Sequence, residues 1–267
     1  MKYIKLMLLL LTVLALAGCS VRPEGAPEAT PATEQTAPDT EQTVSDTEQT
    51  ASDAEQSEVQ PVLHSGLRED GSFDEGTLFI GDSMTCILVE DYLEPNGLLG
   101  DANYTGKYGA HITAFFDDTV MSYTSYNHCA FRPEHEGMGY DDVASALGEK
   151  VTAIYMMWGS NFTWNAYADA YIEITDFLLE NCPNATVHLQ LIPWGWEELI
   201  YYETVNEWVR EAYAHYREKG EERVLLIDTF TAIGRNTDEH CIHLDYQGNE
   251  NWYKAILAHA EANGLAQ

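Results

Sequence analysis

Four apolar runs constrain the fold of this chain more than any other feature: Leu78–Ile80, Val151–Met157, Thr186–Ile192 and Arg223–Asp228. Each is short and mostly apolar, so each reads as a strand buried on both sides. A weaker fifth candidate lies at Asn103–Thr105. Helical patterns fall between and after them, at Met84–Glu90, Trp164–Asn181 stopped by Pro183, Glu203–Lys219 stopped by Gly220, and Tyr246–Ala262 stopped by Gly264. Strands alternating with helices predict a parallel sheet between two helical layers. In such sheets ligands bind beyond the carboxyl ends of the strands.

Several chemically capable residues fall at those ends. The first strand runs into Gly81-Asp82-Ser83, and a glycine loop follows at Tyr108-Gly109-Ala110. The third strand ends in Gly159-Ser160-Asn161, and the fourth in Pro193-Trp194-Gly195-Trp196. Ile242-His243-Leu244 precedes the last helix. The predicted order therefore places Ser83, Asn161, the Pro193–Trp196 turn and His243 on one rim.

Ser83 at a helix start gains from the positive end of the helix dipole, and its own amide points where an oxyanion would form. Gly109 has no side chain to hinder a substrate carbonyl, and the Asn161 amide is a neutral donor. His243 is a candidate general base for the Ser83 proton. Each residue also has a purely structural reading: Asp82 or Ser83 as a helix cap, Gly109 as a turn glycine, Asn161 as the cap of the helix near Trp164.

From about residue 77 to the end, these blocks resemble the SGNH (GDSL-type) hydrolase superfamily. Gly81-Asp82-Ser83 resembles its nucleophile block, Gly109 and Gly159-Ser160-Asn161 its oxyanion blocks, and His243 its base. Gly248, Trp252 and Tyr253 resemble its closing helix. The resemblance implies a three-layer α/β/α flavodoxin-like fold with a mainly parallel five-stranded sheet. It also implies hydrolysis of esters, often acetyl esters on carbohydrate. On this reading the catalytic residues are Ser83 and His243, the oxyanion hole is Ser83, Gly109 and Asn161, and no cofactor is needed.

The chain departs from that pattern at one position. The family places an aspartate three residues before its base, and His240 stands there instead. Three readings follow: Asp238 orients His243 as the third catalytic member, a backbone carbonyl or His240 holds the imidazole, or activity has been lost. A serine triad with the wrong imidazole tautomer loses about 10⁴ in rate. Asp238, His240, Cys241, His243 and Asp245 also suggest metal ligands, but so compact a run is no recognised zinc spacing, and no metal is expected.

The N-terminus predicts export. Lys2 and Lys5 precede an apolar run from Leu6 to Ala17 that is too short to span a bilayer. Leu16-Ala17-Gly18-Cys19 resembles a bacterial lipobox, which implies cleavage after residue 18 and lipidation of Cys19. Acyl chains would hold the protein to the outer side of the membrane without a spanning helix.

Residues 19–60 are rich in Thr, Glu, Gln, Ala, Ser, Asp and Pro and repeat Thr33-Glu34-Gln35-Thr36-Ala37-Pro38-Asp39 nearly intact from Thr40 and again from Thr47. The period of seven carries no apolar seam, which excludes a coiled coil and predicts a solvated stalk.

Residues 61–267 are left as one domain. The full chain carries −31, and this domain keeps −24 from 34 acidic and 10 basic groups. Such a field disfavours nucleic acid and anionic polymers as partners, and favours a neutral or cationic substrate.

Cys86, Cys129, Cys182 and Cys241 form an even set compatible with free thiols or disulfides, and Cys86–Cys241 is the pair whose loops could meet. Trp194 and Trp196 on the rim are candidate substrate contacts, since indole faces suit sugars and apolar acyl groups. Core packing fits Trp208 and Trp252 better. The expected function is a surface-anchored serine esterase for short acyl, chiefly O-acetyl, esters on carbohydrate. The alternative is a catalytically impaired lipoprotein of the same fold that binds glycans.

Overall fold

The computed structural model describes residues 61–116, 128–159, 161, 167–193, 199–236 and 243–265, all within one compact unit, Ser57–Gln267. The apolar runs form strands β1 (Thr77–Gly81), β4 (Ala153–Met157), β5 (Thr186–Gln190) and β6 (Val224–Ile227). The weak candidate is a full strand, β2 (Asn103–Lys107). A short sixth strand, β3 (Cys129–Phe131), pairs antiparallel to β2 and corrects the expected count of five. Three residues are too few to show a period, which is why the sequence hides it.

The sheet order is β3-β2-β1-β4-β5-β6, and every pairing except β2–β3 is parallel. Its five parallel strands follow the flavodoxin-like order, which reverses direction between β1 and β4. Right-handed crossovers then force helices onto both faces. The helices are α1 (Ser83–Ile87), continued by a π-helical turn over Leu88–Leu93, α2 (Tyr140–Leu147), α3 (Tyr167–Asn181), α4 (Leu199–Lys219), α5 (Thr229–Ile233) and α6 (Tyr246–Ala262). α2 packs on α3 and α3 on α4, while α6 packs on α5 and on the π turn after α1. The result is a three-layer α/β/α domain. No helix among the described residues is long and apolar enough to cross a membrane.

On the α6 side, a row of rings crosses the sheet through paired positions. Phe79 of β1 stacks on Tyr155 of β4 at 5.1 Å, and Tyr155 stacks on His188 of β5 at 4.6 Å. Phe73, from the segment before β1, packs edge-on against Phe79 and Tyr155. Burying that ring contributes about 1.5–3 kcal/mol. The Tyr155 hydroxyl donates to the Ser65 carbonyl and that of Tyr253 to Gly71, so residues 65–73 are strapped to the core. Trp252 is fully buried, as expected, and its indole N–H donates to Gln190 at 2.6 Å. Trp208 is partly buried against the core.

Candidate active site

The edge where the strand order reverses is built from residues that lock their neighbours in place. β1 ends at Gly81, which pairs with Gly106 of β2 on one side and Met157 of β4 on the other. The chain leaves β1 through Asp82, which is fully buried. One carboxylate oxygen accepts the Met84 amide at 3.0 Å and caps α1. The other accepts the Gly159 amide at 3.2 Å, beyond the end of β4. One side chain thus ties the turn carrying Ser83 to the turn carrying Asn161. The helix-cap reading is correct for Asp82, and the cap has a second function.

Ser83 is the first residue of α1 and is buried. Gly109 lies just past β2 with φ +72, and a Cβ placed there meets nothing among the described residues within 4 Å. Its positive φ is itself the reason a glycine suits this position. Gly159 has φ +131, and there a Cβ would lie 2.7 Å from Val205. Asn161 is half-buried, two residues further on.

His243 sits three residues before the first residue of α6. Asp245 caps that helix by accepting the Gly248 amide at 2.7 Å, and its own amide donates to the Asn236 carbonyl. Asp245 is thus a helix cap. The His243 ring meets Tyr108 at 5.5 Å between centroids, edge to face. That contact brings the last loop to the end of β2. Ser83, Gly109, Asn161 and His243 therefore all belong to the carboxyl edge of β2, β1 and β4, as the strand order predicted for Ser83, Asn161 and His243.

Three supporting residues carry no signal in the sequence. The Tyr171 hydroxyl, on α3, donates to the Trp158 carbonyl at 2.7 Å and accepts its amide at 3.0 Å. This clamps the backbone immediately before Gly159. Asn206, on α4, does the same for Ile192 with its side-chain amide, at 2.8 and 3.0 Å, before Pro193. Tyr140, on α2, donates to the Gly81 carbonyl at 3.0 Å. Each is a polar residue at an apolar helix position, and only the folded chain reveals its partner.

Cys86 lies one turn beyond Ser83 and is a buried free thiol whose pKa is pushed up by burial, so it is no rival nucleophile. It packs on Gly106, where a Cβ would come within 2.8 Å of its sulfur. Cys182 is likewise a buried free thiol, pushed up to about 11 by burial. Cys19, Ser160, Trp194, Trp196, Asp238, His240 and Cys241 lie outside the described residues. Residues 128–139 contribute β3 and a 3-10 turn over Pro133–His135.

No family model matches the chain, and no curated protein does. Similar folds occur among solved structures. A family two carbohydrate esterase from Clostridium thermocellum, in complex with cellohexaose, aligns with TM-score 0.49 and 16% identity over 70% of this chain and 63% of that one. A carbohydrate esterase of family 3 from Talaromyces cellulolyticus aligns with TM-score 0.41 and 16% identity, over 70% of this chain and 96% of that one. A GDSL-like lipase from Bacteroides thetaiotaomicron aligns with TM-score 0.43 and 12% identity, over 70% and 88%.

Proposed function

We propose that this chain is a serine ester hydrolase held on the outer face of a bacterial membrane by lipid on Cys19, cleaving short acyl esters, chiefly O-acetyl groups on carbohydrate. The observation that supports this reading most is the gathering of Ser83, Gly109, Asn161 and His243, spread over 160 positions of sequence, at one edge of the sheet. A structural role for each taken singly does not explain their convergence.

In this mechanism the Ser83 hydroxyl oxygen attacks the acyl carbon while His243 takes its proton. The oxyanion is held by the amides of Ser83 and Gly109 and by the Asn161 side chain; losing one such donor costs about 2.7–4 kcal/mol. Collapse of the adduct expels the alcohol, which receives the proton from His243. Water then attacks the acyl-serine with His243 again as base, releasing the acid and restoring the hydroxyl. Asp238 is the candidate orienter of His243, and Trp194 and Trp196 are the candidate wall for the sugar or acyl group. The acidic domain suits a neutral ester, and the stalk of residues 19–60 supplies reach from the membrane.

Turnover of p-nitrophenyl acetate, lost in Ser83→Ala, is the expected result. The presence of His240 where an aspartate is usual favours one second reading, a glycan-binding lipoprotein without turnover. Binding of oligosaccharide with no hydrolysis of any short acyl ester would establish it and refute the esterase.

A further inference from the structure

The helix that begins with Ser83 also carries Glu90, on its π-helical turn, and Glu90 starts a chain of contacts that ends at His243. The Glu90 carboxylate lies 2.5 Å from Nε2 of His128, with both side chains about a third exposed, at 30% and 31%. The His128 ring packs edge-on to Tyr108 at 5.3 Å, and Tyr108 packs edge-on to His243 at 5.5 Å. The backbone holds the middle of this chain: the Tyr108 amide donates to the His128 carbonyl at 2.8 Å, and the adjacent residues Lys107 and Cys129 pair across β2 and β3. The Tyr108 ring also rests against the hydrophobic core.

We propose that Tyr108 is a positioning residue for His243: wedged between two imidazoles and buttressed by Glu90 through His128, its ring fixes the plane of the His243 imidazole. The physical basis is a rigid aromatic edge-to-face contact on a ring that is itself held from behind. A short antiparallel strand is added at the edge of the sheet where it supplies that backing. Burial raises the Tyr108 hydroxyl above its ordinary pKa, so the phenol stays neutral beside the two imidazoles. This chain of contacts supplies a geometric constraint on His243 that does not depend on a carboxylate three residues before it. It explains how β3, invisible in the sequence, bears on the chemistry.

The proposal rests on the esterase reading for its catalytic consequence but not for its geometry, so two measurements test it. In the first, kcat and KM for p-nitrophenyl acetate are compared in wild type, Tyr108→Leu and Tyr108→Phe. Leucine is expected to lower kcat by about 10²-fold with KM unchanged, the scale of a small misplacement of a catalytic group, and phenylalanine to restore it. In the second, the His243 imidazole protons are followed by NMR, assigned with His243→Asn. Their ring-current displacement should persist in Tyr108→Phe and vanish in Tyr108→Leu. Wild-type kcat in Tyr108→Leu, or His243 signals unmoved by it, would overturn the proposal. A wild-type protein with no turnover would refute the esterase alone, and the NMR comparison would still decide whether Tyr108 positions the ring.

Discussion

Replacing Asp82 should damage stability and catalysis together, because a single carboxylate joins the two turns of the site. In Asp82→Ala the α1 cap is lost, at a cost of about 1 kcal/mol. The Gly159 amide, buried and 3.2 Å from the missing oxygen, is left without that acceptor, at a further cost of about 1–3 kcal/mol. The sum is about 2–4 kcal/mol. With a urea dependence near 2 kcal/mol per molar, the unfolding midpoint should fall by about 1–2 M. Asp82→Asn separates the two contacts. Its side-chain oxygen can still cap Met84, but its NH₂ then faces the Gly159 N–H, donor against donor, so most of the loss at Gly159 remains. Release of that turn displaces Asn161, two residues away, and should lower kcat by about 10²-fold in both variants under conditions where they remain folded. Urea titrations followed by circular dichroism, with p-nitrophenyl acetate kinetics on the same samples, measure both effects. An unfolding free energy for Asp82→Ala within about 0.5 kcal/mol of wild type, the range of an ordinary surface substitution, would refute the account of the carboxylate as a bridge.

His188, fully buried with its Nε2–H against the His64 carbonyl at 3.0 Å, is pushed down to about 3 by burial. The unfolded chain takes up that proton near pH 6.5, so the stability His188 confers is complete above about 6.5 and drains as pH falls from there toward 3, reaching about 2 kcal/mol lost at pH 5. His188→Gln, which keeps a donor for His64, should remove that part of the difference between urea midpoints at pH 7.5 and 5.0; an unchanged difference would refute it. Gly81→Ala should destabilise by about 1–3 kcal/mol or abolish folding, since the added Cβ would overlap the Met157 carbonyl and the Thr85 hydroxyl. Thermal unfolding checks this, and a melting temperature equal to wild type would show that the sheet edge is looser than its packing indicates.

Much of the site was legible because its elements are encoded locally. The run Leu78–Ile80 is buried on both faces and stops at a glycine, an acid and a hydroxyl, which is a strand feeding a capped helix. The Tyr246–Ala262 helix was legible in its bounds and its Gly264 stop, while its Asp245 cap came to light only in the fold. β3 was not legible, because three residues carry no period and their pairing partners on β2 lie 22 to 26 positions earlier in the chain. Helix α2 was missed as well: its eight residues start at a glycine with no side-chain cap.

The sequence by itself determined the alternation of strands and helices, and with it the rim on which Ser83, Asn161 and His243 had to fall, because burial pattern, caps and glycine stops are properties of neighbouring residues. Only the tertiary structure decided which groups hold them there: Asp82 on the Gly159 amide, Tyr171 on Trp158, Asn206 on Ile192, and Tyr108 between His128 and His243. Those contacts join residues as many as 135 positions apart. A hydrogen bond or ring contact across such a distance leaves no periodic trace in the chain, and it exists only once the sheet has closed the gap.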